Sequence, residues 1–160
     1  MNNRFNYLLD PNTTIVFDID GVLAAYEFGQ LKHDICLDDD WELYVKEHKP
    51  YDQAKPIPQI QKFVKDKGVE DVYVCSVAAP LEEENKRNFV MREYGIPASH
   101  IFFVREAKDK VAFLKTFMPH LAKGNKEETI AIVEDTTSTL NQVSLESDCV
   151  TIHVSSFFFY

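Results

Sequence analysis

The sequence predicts an α/β fold: a three-layer, Rossmann-like arrangement with a mainly parallel five-stranded sheet, helices on both faces, and a small insertion after the first strand. Three observations carry that expectation. Short apolar runs of strand character alternate with segments of helical periodicity, the order that yields βαβ units and a parallel sheet covered on both sides. The first run ends abruptly in two carboxylates and a glycine, a turn signal. Polar residues follow several of the runs, Asp18 and Asp20 after the first, Ser76 after the second, and Glu134-Asp135 after the fourth. They fall at the edge where open α/β sheets bind their ligands.

Residues 1–12 are polar and close on Asp10-Pro11-Asn12, a turn ahead of the first strand, Ile15-Val16-Phe17. From Ala24 to about Pro58 no strand is evident. Asp38-Asp39-Asp40 supplies the N-cap and first turn of a short helix through Trp41–His48. An acidic triplet can also bind a cation, but no further ligands surround this one. Pro56-Ile57-Pro58 opens a helix with Ile57, Ile60, Phe63 and Val64 on one face and Gly68 as its stop.

Val72–Ser76 is the second strand. A helix from about Leu81 to Tyr94 opens on Glu82-Glu83-Glu84 and carries Lys86, Arg87 and Arg92 later, the sense that the helix dipole favours. Those charges are expected to form a solvated face. Ile101–Val104 is the third strand, and Asp109 is placed to cap a helix whose buried stripe is Val111, Leu114, Phe117 and Met118. Thr129–Val133 is the fourth strand; a short helix with Leu140 and Val143 leads to a fifth, from about Cys149 to Val154.

At 160 residues the chain is one domain, 1–160, with residues 24–56 as a small cap or flap within it. The net charge of −9 argues against electrostatic capture of nucleic acid or of an anionic membrane. No apolar run reaches the length of a membrane span, and the N-terminal residues lack the apolar core of a secretory signal. Cys36, Cys75 and Cys149 are odd in number and widely spaced, as suits reduced thiols in a cytoplasmic protein. The histidines show no zinc-ligand spacing.

In a parallel sheet the residues just past each strand share one edge, so Asp18, Asp20, Ser76, Glu134 and Asp135 converge there. Lys108 and Lys110 lie at the start of the helix after the third strand. Carboxylates crowded together repel and call for a cation or a proton between them. A hard divalent ion such as magnesium takes oxygen ligands of this kind together with substrate phosphate. An ionised Asp can attack phosphorus, a second acid can move the proton, and a hydroxyl and an ammonium can neutralise the phosphoryl oxygens.

Asp18-Ile19-Asp20-Gly21-Val22-Leu23 resembles the first motif of the haloacid dehalogenase (HAD) superfamily in its phosphatase form. Val74-Cys75-Ser76 resembles the second motif, a lysine before the fourth strand the third, and Ile132-Val133-Glu134-Asp135 the fourth. Each fragment alone is weak; their order, on the matching elements, is what carries the resemblance, over about residues 13–154. It implies Asp18 as nucleophile and Asp20 as general acid/base. Magnesium (Mg2+) would be held by Asp18, Asp135 and the main chain of Asp20, with Glu134 assisting, and the phosphoryl group by Ser76 and a lysine. Lys110 is preferred for that lysine and Lys108 is the alternative. Members that cleave carbon–halogen bonds lack an acid at the position of Asp20, so a phosphatase or phosphotransferase is implied, with a phosphomonoester hydrolase as the leading expectation.

The wording of residues 18–24, followed by Tyr26 and Phe28, is similar to the 5′(3′)-deoxyribonucleotidases, whose short cap packs aromatic residues on the base. Gly21, Tyr26 and Trp41 are the substrate-side candidates this implies, with a nucleoside monophosphate as the small phosphorylated substrate. Packing of a small helix explains Trp41 and Tyr44 equally well. Between Leu23 and Ile57 there is room for a β-flap and one or two short helices, so the site is open unless a homo-oligomer supplies a lid. Two other readings stay open: a phosphatase of another metabolite or of nucleic-acid ends, and a non-catalytic binding or regulatory protein on the same fold. The Phe157-Phe158-Phe159-Tyr160 segment either continues the last strand into the core or covers a subunit contact.

Overall fold

The computed structural model describes residues 5–25, 41–121 and 129–160. Among these residues the strands are β1 (Thr13–Phe17), β2 (Ala24–Ala25), β3 (Lys55–Pro56), β4 (Val72–Val77), β5 (Ile101–Val104), β6 (Thr129–Glu134) and β7 (Val150–His153). The helices are α1 (Asn6–Leu9), α2 (Trp41–His48), α3 (Pro50–Gln53), α4 (Pro58–Lys67), α5 (Glu83–Tyr94), α6 (Asp109–Leu121) and α7 (Thr137–Glu146). Five strands form one sheet in the order β5-β4-β1-β6-β7, with every pairing parallel. The α/β class expected from sequence is the class found.

β1 is the centre of the sheet and is buried along its whole length. It pairs with β4 from Ile15↔Val72 to Phe17↔Val74 and with β6 from Thr13↔Thr129 to Phe17↔Val133. Successive side chains point to opposite faces, and both faces are covered. Ile15 and Phe17 join Val74, Ala131 and Val133 in a core closed by Leu8, by Ile60, Phe63 and Val64 of α4, and by Phe89 and Val90 of α5. Val16 joins Cys75, Ile130 and Ile132 against Val111 and Leu114 of α6 and Leu140 and Val143 of α7. A strand packed on both sides has no polar face to show, which is why Ile15–Phe17, Val72–Cys75 and Ile130–Val133 are unbroken apolar runs.

Several local features differ from the sequence expectation. Asn6–Leu9 forms a single helical turn that buries Leu8, too short to show a period. Asp109 is the first residue of α6 rather than its cap, and its carboxylate reaches back to accept the Glu106 N–H at 3.0 Å. The Phe157–Tyr160 segment does not extend β7. Residues 154–159 turn into a 3-10 helix that drives Phe157 fully into the core and leaves Phe159 85% exposed. Phe157 meets the rings of Phe5, Phe17 and Phe63 at 5.1–6.0 Å.

The insertion after β1 leaves through β2 and returns through β3, which pair antiparallel. The buried Tyr94 hydroxyl fastens the two roots together, donating to the Leu23 carbonyl at 2.6 Å and accepting the Ile57 N–H at 3.0 Å. Within the proposed cap, Tyr26, Phe28, Cys36 and Asp38-Asp39-Asp40 lie outside the described residues, as does the side chain of Met118. No helix among the described residues is long and apolar enough to cross a membrane.

Phe63 touches four aromatic rings of this core, those of Phe5, Phe17, Phe157 and Tyr160. Phe63→Ala is expected to lower the unfolding free energy by about 3–5 kcal/mol in urea titration; a loss under about 1 kcal/mol would mean the cluster collapses onto the gap.

Candidate active site

Chain order runs outward from β1 through β4 to β5, then crosses to β6 and β7 on the other side of β1. The crevice at the carboxyl ends of β1 and β6 is therefore the switch point of the sheet, where ligands bind in such folds. Asp18 is the first residue past β1, with its N–H bonded to the Val133 carbonyl at 3.0 Å. The chain then turns tightly. The Ile19 carbonyl accepts from the N–H groups of Val22, Leu23 and Ala24 at 3.2, 2.9 and 2.8 Å, while Ile19, Val22 and Leu23 anchor the turn in the core. Gly21 has φ +72°, and a Cβ there would lie 2.2 Å from Asp135 Oδ2. Only glycine admits both that conformation and that approach.

Three side chains form a buried ionic cluster at this crevice. Lys110 Nζ donates to Asp18 Oδ1 at 2.8 Å and to Glu134 Oε2 at 2.5 Å. Glu134 Oε1 accepts the N–H groups of Asp135 and Thr136 at 3.2 and 3.3 Å. Two carboxylates therefore share one ammonium out of water. Burial raises the Asp18 pKa; the Lys110 charge opposes the rise and the nearby Asp20 charge adds to it. Burial, reinforced by Asp18, pushes Glu134 up to about 7 against the pull of Lys110. For Lys110, burial disfavours the charge, but the two carboxylates outweigh it and its pKa rises. The neighbouring Cys75 thiol is pushed up to about 12, chiefly by burial, so it is not a nucleophile at neutral pH.

Asp135 is exposed, and Asp18, Glu134 and Asp135 each offer an oxygen within 4.8 Å of the others. Three carboxylates against one ammonium leave an excess of negative charge that a cation or protons must balance. The main-chain oxygen of Asp135 accepts from His153 Nε2 at 3.0 Å, while Nδ1 of the same ring accepts the Ser155 N–H. That pattern assigns the proton to Nε2. His153 was not among the sequence candidates. Its contact depends on the register that sets Glu134 beside it, which only the folded sheet reveals.

Ser76, in the last part of β4, is buried, and among the described residues its hydroxyl meets no partner within hydrogen-bonding geometry. It still lies near enough to Asp18 to offset a little of that group's upward shift. An unmatched buried hydroxyl costs about 1–3 kcal/mol, which is tolerable where a ligand completes it.

Asp20 sits at the rim. Its Oδ1 accepts from the Tyr51 hydroxyl at 2.8 Å and its Oδ2 from Lys86 Nζ at 2.7 Å. Lys86 corrects the sequence reading: expected on a solvated face, its side chain is only 3% exposed. The overlooked signal is spacing, because Phe89 and Val90 follow it at i+3 and i+4 and put it on the apolar stripe of α5.

The other candidates fall as follows. Lys108 is exposed and pairs with Glu106 at 2.7 Å. The Trp41 indole N–H donates to Glu82 Oε1 at 2.9 Å, and its ring stacks on Tyr44. Asp18, Gly21, Lys110, Glu134 and Asp135 are brought together, with Ser76 beside Asp18. Comparisons with protein-family models, curated proteins and solved structures return no match for this chain, so function is argued from the site itself.

The raised carboxyl groups make stability depend on pH. Glu134 ordinarily titrates near 4.5 and here near 7, so between those values the folded, metal-free protein holds a proton that the unfolded chain has lost. Its contribution is complete below the unfolded value and is lost as pH rises toward 7. In thermal denaturation with a chelator, the melting temperature of the wild type relative to Glu134→Gln is expected to fall across that window. A constant difference would mean Glu134 titrates alike in both states.

Proposed function

We propose that this chain is a magnesium-dependent phosphomonoester hydrolase of the HAD type, working through an aspartyl-phosphate intermediate. The observation that carries the proposal is the buried Asp18 carboxylate, bonded to Lys110 and close to Glu134 and Asp135 at the sheet's switch point. The donor set suits a hard divalent cation, since every candidate ligand is oxygen and the cluster is short of positive charge. Asp18 and Asp135 would hold the ion with the main-chain oxygen of Asp20. Glu134 has one oxygen on Lys110 and the other on two main-chain N–H groups, so its role is to fix Lys110. When bound, magnesium would neutralise phosphoryl charge and lower the Asp18 pKa.

The protein's own groups supply the rest. Asp18 attacks phosphorus while Lys110 and the Ser76 hydroxyl bind phosphoryl oxygens. Asp20 gives its proton to the departing alkoxide, so the P–O bond to the alcohol breaks as the bond to Asp18 forms. Asp20 then takes a proton from water, the resulting hydroxide attacks phosphorus, and phosphate leaves with Asp18 restored. A small phosphorylated metabolite is the substrate class this reading favours, with a nucleoside monophosphate as the first to try. The buried free thiols of Cys75 and Cys149 support a reducing, cytoplasmic setting.

A panel of phosphomonoesters, nucleoside monophosphates included, should be turned over with magnesium and not with excess chelator. Asp18→Asn should lower kcat by about a thousandfold or more, as expected for loss of a nucleophile. Turnover that survives either change would remove the aspartyl-phosphate route. Binding of phosphomonoesters with no turnover would favour a non-catalytic protein on this fold.

A further inference from the structure

We infer that Lys86 and Tyr51 are positioning residues for proton transfer, together clamping the Asp20 carboxylate in the orientation from which it serves the leaving group. The inference rests on the proposed role of Asp20 as general acid/base and adds two residues that the motifs do not contain.

Lys86 lies on the same stripe of α5 as Phe89 and Val90, and its ammonium is almost wholly removed from water. Burying a lone ammonium is costly, so a lysine persists there only if its charge is met. It is met on several sides: Nζ donates to Asp20 Oδ2 at 2.7 Å and to the Val77 carbonyl at 2.6 Å, and Glu82 Oε1 stands 3.7 Å away. Glu82 is itself fixed, accepting the Ala79 N–H at 2.7 Å and the Trp41 indole N–H at 2.9 Å. Tyr51 is equally buried; its hydroxyl donates to Asp20 Oδ1 at 2.8 Å, and Lys86 Nζ stands 5.3 Å from the centre of its ring.

The contrast with Asp20 gives the clamp its meaning. Its side chain is 38% exposed, and an exposed carboxylate on a turn would ordinarily sample several rotamers. Both of its oxygens are instead tied to buried groups on two separate helices, α3 and α5. A surface ion pair gains little. Here the partners are fixed by packing, so the ordering entropy falls on Asp20 alone. What the clamp secures is the direction of one carboxylate beside Asp18, and proton transfer in a transition state depends on such placement.

A tie that merely holds α3 and α5 to the turn would show the same contacts, so the test must separate the two roles. A general acid matters most when the departing alkoxide is a poor leaving group and little when it leaves readily as an anion. The experiment compares kcat/KM, which reports steps up to phosphoryl transfer to Asp18, for an alkyl phosphate and for p-nitrophenyl phosphate. It does so in wild type, Lys86→Met, Tyr51→Phe and Asp20→Asn, with magnesium present.

In Lys86→Met and in Tyr51→Phe the loss on the alkyl phosphate should exceed the loss on the aryl phosphate by about tenfold or more, following the pattern of Asp20→Asn. Equal losses on the two substrates, or no loss in either variant, would overturn the clamp. Should Lys86→Met fail to fold, Tyr51→Phe decides alone, because it removes one hydroxyl and keeps the packing. Failure of the underlying reading looks different: wild type turns over neither substrate, or Asp20→Asn loses equally on both.

Discussion

The interaction on which the rest of the molecule depends is the shared ammonium of Lys110. It joins the end of β1, the end of β6 and the first turn of α6 at one point, through bonds of 2.8 and 2.5 Å to Asp18 and Glu134. Each partner alone would be prohibitively placed, a charge out of water without an answer. Removing one member of such a buried pair typically costs about 3–5 kcal/mol, because the other is left unpaired. The arrangement is therefore mutually enforcing. The strands must end where they do for the ions to meet, and the ions must meet for the strand ends to be tolerable.

A second ionic centre lies two residues along the same turn, again built on a buried lysine but with its acid exposed. At Asp18 the acid is buried and the cation reaches in from a helix terminus. At Asp20 the cation is buried and the acid is exposed. The two carboxylates of one Asp-Ile-Asp triplet thus sit in different electrostatic surroundings, and such divergence is how a site assigns different tasks to chemically identical groups. Gly21 and Ile19 hold the separation: one lets the turn press against Asp135, the other ties the turn back on itself.

Much of this could be read from the chain because its local rules agree. Strands buried on both faces carry unbroken apolar runs, so β1, β4 and β6 announce themselves, and the polar residue that breaks each run, Asp18, Ser76 or Glu134, marks the site edge. Lys110 was reachable by its place at the opening of a helix beside that edge. Lys86 was not, since Glu82-Glu83-Glu84 followed by Lys86, Arg87 and Arg92 is also what a solvated helix arranged along its dipole looks like. The conflicting clue lay in helical spacing, not in charge. Tyr51 and His153 owe their positions to tertiary pairing, through the short α3 after α2 and the β6–β7 register, and no local pattern encodes either. Phe157 turns inward because the chain leaves β7 in a 3-10 turn, where strand alternation no longer applies.

The central place of β1 also makes the sheet depend on pairings between distant parts of the chain. One of the neighbours of β1 is β6, so that Thr13 must find Thr129 and Phe17 must find Val133. Such distant pairings close large loops before they return any contact energy, and they slow folding accordingly. During synthesis Asp18 and Asp20 precede the charges that balance them, on Lys86 within α5 and then on Lys110. Asp20 has its partner once α5 is made, but Asp18 has none until α6 brings Lys110. The chemistry of the site is thereby a late-acquired property, present only when the last inner strand has docked.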